Sequence, residues 1–161
     1  MLSDTIQSAL NVQINEEIHS AYIYLAMAAE SDRLGLPGFS NWFKQQYSEE
    51  LAHADRFFNY ILERGGEVKL TAIEGPKIAN ETPLALFEKS LAHEQHITGC
   101  IFKLKDMARA ESDHATDNFL EWSVAEQVEE EEATRSVIDQ LKLVDGNPSG
   151  CLLYTSDAAD E

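Results

Sequence analysis

No run in this 161-residue chain approaches the roughly 18 consecutive apolar residues that cross a bilayer, so no membrane span is expected. Cysteine is scarce. Cys100 and Cys151 are the two present, at no metal-type spacing, and a chain long enough to build its own core has little need of a disulfide staple. The start, MLSDTIQSALNVQIN, has neither the basic opening nor the continuous apolar segment of a secretory signal, and with the cysteine usage this predicts a reducing cytoplasm. Basic residues are the most telling shortage: 12 Lys and Arg face 29 Asp and Glu, a formal net charge of -17. Such a surface repels polyanions, so neither nucleic acid nor an anionic membrane is an expected partner, and cations are.

What is present is apolar residues at helical spacing, in a chain sized for one domain. A first helix is predicted from about Asp4 to Arg33, with Leu10, Ile14, Ala21, Tyr24 and Ala28 on one stripe and Glu17 in its middle. A second, from about Gly38 to Arg64, aligns Phe43, Ala54, Phe57 and Ile61 around Glu50, with His53 at the edge. The third should start at NETPLALFEKS, where Thr82 caps and Pro83 supplies a preset φ; its seam of Phe87, Leu91, Ile101 and Ala108 centres on Glu94. The fourth, from about Thr116 to Leu143, aligns Leu120, Ser123, Val124, Ile138 and Leu141 around Gln127, with Glu130 one turn on. Any one of these acids alone could lean out and solvate. A polar residue near the middle of every seam instead points to a shared partner, because a lone buried carboxylate must shift its pKa or find a counter-charge.

The connections agree with convergence. DRLGLPGFS and MARAESDHATD are short breaks, which makes helices one and two, and helices three and four, antiparallel pairs. Between the pairs, the stretch from about Gly65 to Thr82 reaches ~55 Å when extended. A helix of ~27 residues is about 40 Å long. The connector is thus able to run the length of the bundle and set helices two and three parallel.

These features are all-α, and together with Glu17 in NEEIHSAYIY, Glu49, Glu50 and His53 in SEELAHA, Glu94 in LAHEQHI, and Glu126, Gln127, Glu129 and Glu130 in EWSVAEQVEEE, the chain resembles a bacterial non-haem ferritin of the ferritin-like di-iron family. The resemblance implies an up-down-down-up four-helix bundle with one long crossover. It also implies iron as the metal, and carboxylate oxygens with one imidazole suit Fe(II) and Fe(III). By resemblance, Glu17, Glu50 and His53 hold one iron; Glu94, Glu130 and the bridging Glu50 hold a second, with Gln127 beside it. Glu49, Glu126 and Glu129 join Glu130 at a possible third iron position, for which a solvated acidic face is the alternative. Tyr24 is either a partner or electron donor at the site, or a core aromatic. Asp117 and Glu121 fall near where such cages place channels for iron, although acids at a helix start also answer the helix dipole.

Departures from the family pattern carry information. The fourth helix offers Gln127-x-x-Glu130 where symmetrical di-iron bundles repeat E-x-x-H, so the second iron should be held more loosely. Leu51 stands where bacterioferritins carry a haem-ligating methionine, and no haem is expected. The paired C-x-x-C of rubrerythrin-like peroxidases is missing. His19, His93, His96 and His114 show no ligand pattern and read as surface or helix-flank residues.

The expected organisation is a bundle domain over residues 1–150 and an irregular, possibly non-native tail over 151–161. In that tail Leu152, Leu153 and Tyr154 only begin what would be a short fifth helix, so that helix is truncated or doubtful. The expected activity is ferroxidase: Fe(II) is oxidised by dioxygen or hydrogen peroxide, and the ferric product is stored as mineral in a hollow homo-oligomer, which the family resemblance implies to be a cage of about 24 subunits. Two alternatives share the architecture: a di-iron oxidase or peroxidase without storage, and a metal-silent shell subunit.

Overall fold

The computed structural model describes residues 2–144, and the regular structure among them is helical throughout. Helix α1 (Asp4–Arg33) starts where Ser3 Oγ accepts the Ile6 N–H at 3.1 Å, satisfying one of the amides that a first turn leaves without a partner. Gly35, at φ 74°, turns the chain out of it, a left-handed conformation that glycine adopts without a Cβ clash. Helix α2 (Pro37–Glu63) opens on its proline. Helix α3 (Pro83–Ala110) is capped by Thr82, whose Oγ1 accepts the Ala85 N–H at 3.1 Å.

The expected fourth helix is two segments. The first, α4 (His114–Phe119), is capped by Asp113, and a break at Leu120 (ψ -7°) separates it from α5 (Glu121–Leu143). Lys105 of α3 donates its Nζ to the Asp117 carbonyl at 2.9 Å, taking up a main-chain acceptor one turn before the start of α5. A side chain inserted into the hydrogen-bond ladder is a common cause of such a break.

Helix α1 pairs with α2 and α3 with α5, and α1 also packs on α3. The crossover between α2 and α3 is pinned along α1 in register. Gln7 Oε1 accepts from the Glu67 N–H at 2.8 Å, Asn11 Oδ1 from Lys69 N–H at 2.6 Å, and Glu30 Oε1 from Glu81 N–H at 3.0 Å. It therefore climbs the full bundle beside α1, returning the chain to the end where α2 began. Helices α2 and α3 are parallel as a result, and the order is up-down-down-up.

The apolar core is split in two. One half gathers Tyr24, Phe39, Phe43, Phe87 and Ile138; the other gathers Leu10, Ile14, Phe57, Ile97 and Ile101. The layer between them is polar and buried: Glu17, Glu50, Glu94, Gln127 and Glu130. Among the described residues, no helix is long and apolar enough to cross a membrane.

Candidate metal centre

Each helix of the bundle sends one face of its middle turns into the polar layer. Glu17 comes from α1, Glu50 and His53 from α2, Glu94 from α3, and Gln127 and Glu130 from α5. All six are buried. Glu17, Glu50 and His53 bring one ligand atom each to within 4.8 Å of one another, and so do Glu50, Glu94 and Glu130. Glu50 belongs to both sets, so the two ligand-competent groups lie side by side and share a carboxylate. The Nδ1 of His53 lies 3.4 Å from Glu50 and 3.7 Å from Glu130.

The electrostatics of the metal-free layer are unfavourable. Burial, then the charge of Glu50, pushes the Glu17 carboxyl well above its usual range. Glu50 is raised in the same way by burial and then by Glu94. Glu130 follows, raised by burial and then by Glu50 and Glu94. One carboxylate oxygen each of Glu17, Glu50 and Glu130 is buried with no hydrogen-bond partner. Native structures rarely leave such oxygens orphaned, because each costs about 1–3 kcal/mol, more when charged. A pair of divalent cations held there would satisfy all three and neutralise the repulsion. The donor set, oxygen with one nitrogen, fits iron or manganese better than structural zinc.

Polar neighbours orient the acids. Tyr24 donates its hydroxyl to Glu94 Oε1 and lies 3.1 Å from Ser90 Oγ. Gln127 Nε2 lies 3.1 Å from Glu94 Oε2, so the amide presents its donor to the carboxylate. Gln13 Nε2 donates to Glu17 Oε1 at 2.8 Å. Gln13 and Ser90 were not singled out in sequence. Gln13 stands one helical turn from Glu17, and that i,i+4 spacing was the available signal.

The outer acids divide. Glu126 lies 3.9 Å from His53 Nε2 and forms a third ligand-competent group with His53 and Glu130. Glu49 is exposed, accepts from Gln46 at 2.7 Å, and is raised by its partial burial while feeling the charges of His53 and Glu126. Glu129 is exposed, and neither it nor Glu49 joins a ligand-competent group among the described residues. The acids expected at an iron channel are already countered: Asp117 pairs with Lys105 at 2.7 Å and Arg109 at 3.1 Å, and Glu121 with Lys105 at 2.6 Å. His93, expected at the surface or a helix flank, is half-buried against Ser20 at 2.7 Å, and burial, then His19, lowers it to about 4. The tail over 151–161, with its doubtful fifth helix, lies outside the described residues.

Known proteins are similar to this chain in sequence and fold. The model of the family described as Ferritin-like domain matches residues 7–144. A relative named bacterial non-heme ferritin from Staphylococcus aureus is 38% identical over 157 residues, 98% of this chain and 95% of the relative. One of the same name from Bacteroides fragilis is 40% identical over 142 residues, 88% and 89% of the two chains. Among solved structures, an open pore ferritin from the hyperthermophilic archaeon Archaeoglobus fulgidus superposes with a TM-score of 0.96 at 46% identity, covering 98% of each chain.

Proposed function

The chain belongs to the ferritin-like domain family, and from that premise we propose that it is an iron-storage protein whose buried carboxylate layer is a ferroxidase centre. Three orphaned carboxylate oxygens at the meeting point of four helices carry the reading. Fe(II) is the substrate. Glu17, Glu50 and His53 take one ion, and Glu50, Glu94 and Glu130 the other. Each Fe(II) gives up one electron, and dioxygen takes the pair with two protons to leave as hydrogen peroxide; with peroxide as oxidant, the same two electrons and two protons convert it to two waters. The carboxylates, drawn to the higher charge of Fe(III), stabilise the product side. They also release protons as the metal displaces them.

The role of Tyr24 and Gln127 is to fix Glu94, the carboxylate they both touch. Partners that orient a ligand typically contribute about 10–100-fold in metal affinity or activity. Glu126, with His53 and Glu130, provides a third position through which oxidised iron leaves the pair, and the exposed Glu49 and Glu129 extend its acidic surroundings. The ferric product accumulates as mineral inside a hollow homo-oligomer, and no haem takes part. The bundle domain runs over residues 1–150, and the protein works in the cytoplasm.

Stopped-flow Fe(II) oxidation on Glu50→Ala and His53→Ala tests the centre, and the expected loss of initial rate is at least the about 10–100-fold of a lost orienting partner. Near-normal initial rates in folded variants would sink the assignment. Aerobic loading of the unaltered protein well beyond three irons per chain tests storage, and a plateau at the site count would leave a non-storing oxidase.

A further inference from the structure

A second cluster of ligand atoms lies outside the carboxylate layer. Glu16, His96 and Cys100 bring a carboxylate oxygen, an imidazole nitrogen and a thiol sulfur to within 4.8 Å of one another. His96 and Cys100 stand one turn apart on α3, the spacing at which side chains share a helix face. Glu16 reaches them from α1. One atom, His96 Nε2, faces both partners: it lies 3.1 Å from Glu16 Oε2 and 3.7 Å from Cys100 Sγ.

Those distances match the edges of a small tetrahedron. An ion with zinc-type bond lengths separates nitrogen from sulfur by about 3.6 Å and nitrogen from oxygen by about 3.4 Å. The two edges that meet at His96 Nε2 thus lie within a few tenths of an ångström of that shape before any ion arrives, and the third is within 4.8 Å. His96 is exposed and the other two are half-buried, so an ion has access and water can fill the fourth position. The donor set also differs in kind from the iron centre, which contains no sulfur. Thiolate with imidazole favours zinc-like and cobalt ions, while carboxylate clusters favour iron and manganese.

We propose that Glu16, His96 and Cys100 form a separate site for a borderline divalent cation of the zinc type, filled independently of the ferroxidase centre. Sequence reading left His96 among the unpatterned histidines because its carboxylate partner lies 80 positions away. Helix packing alone brings them together.

Cobalt(II) reports on the site, since only a sulfur-ligated ion gives a thiolate-to-metal charge-transfer band in the near ultraviolet. Iron-free, assembled protein titrated with Co(II) should develop that band to the intensity of one thiolate-bound ion per chain; added Zn(II) should bleach it. Cys100→Ser should abolish the band, His96→Ala should weaken cobalt affinity by at least tenfold, and Glu50→Ala should leave the band intact, which separates this site from the ferroxidase reading. Circular dichroism on each variant monitors the helices. Absence of the band in the unaltered protein overturns the proposal. So does a band that survives Cys100→Ser and disappears in Cys151→Ser, or one indifferent to His96→Ala.

Discussion

Glu17, Glu50 and Glu130 keep carboxyl groups buried, and burial with the charge of neighbouring acids raises all three, which has a thermodynamic signature in the metal-free protein. Their folded pKa values lie above the unfolded value of 4.5, so the folded chain holds protons that the unfolded chain has lost. Their contribution is fully present below that value and is lost as pH rises through the raised folded values. His93 acts with the opposite sign, being lowered to about 4, but its effect is complete above the ordinary histidine value of 6.5. The clean window therefore opens at about pH 7, above the histidine range. Across it the unfolding midpoint of metal-free protein should fall, and Glu50→Gln, which removes one titrating group, should flatten the fall. Denaturation curves at several pH values check this, and a rising midpoint would contradict it. Gln127→Glu tests the same layer from the other side. It replaces an amide donor facing Glu94 with a second acid, so the metal-free protein should lose about 1–3 kcal/mol. The second Fe(II) should bind more tightly, because the added charge attracts a dication by about 8 kcal/mol at 4 Å and an effective dielectric of 20, partly offset by the acids already there. Opposite signs in anaerobic Fe(II) titration and in unfolding are the expected pair; no change in either would remove Gln127 from the centre.

Helices carry the residues, and much of their arrangement was legible because local signals and long-range packing agree. Ser3, Thr82 and the prolines at 37 and 83 mark helix starts by mechanisms that act within one turn. Glu17, Glu50, Glu94 and Glu130 stood out because a charge in the middle of an apolar stripe has no local explanation. What sequence did not disclose depends on another element. The break at Leu120 follows a lysine of α3 reaching the Asp117 carbonyl, and the burial of His93 follows from Ser20 and His19 on α1. The crossover is intermediate: its length showed where it was able to go, while the side chains holding it there are visible only in the fold. Asn11 is the chief of these, since its Nδ2 donates to the Glu67 carbonyl at 2.9 Å while its Oδ1 accepts from Lys69. Asn11→Ala should cost about 1–3 kcal/mol, since it removes two hydrogen bonds to the crossover main chain, each worth about 0.5–1.5 kcal/mol. Amide hydrogen exchange at Lys69 should accelerate well beyond that at α3. Uniform acceleration would mean that the crossover and bundle open together.

For the whole molecule, the decisive point is that every ligand proposed for the paired-cation centre comes from one chain, whereas storage needs an enclosure. The two functions should therefore separate on dissociation. The surface of the single chain already argues for association: Tyr22 and Leu25, one turn apart on α1, are 49% and 40% exposed, and Val12 of the same helix is 58% exposed. Large apolar side chains grouped on one helix favour burial against another copy, at roughly 25 cal/mol per Å² of apolar area covered. A net charge of -17 works against assembly through mutual repulsion, so the apolar contacts must outweigh it. Introducing a further cost, desolvation of two guanidinium groups, through Tyr22→Arg together with Leu25→Arg should shift the protein toward single bundles in size-exclusion chromatography with light scattering. Neither side chain belongs to the centre or to either half of the apolar core, so circular dichroism should retain its helical signal. Initial Fe(II) oxidation per chain should stay within about twofold of the unaltered protein, because no ligand is lost. Iron held in solution should collapse to a few ions per chain, the remainder precipitating. A dissociated variant that loses its initial oxidation rate as well would show that neighbouring copies shape the centre, and that the single bundle is not the catalytic unit.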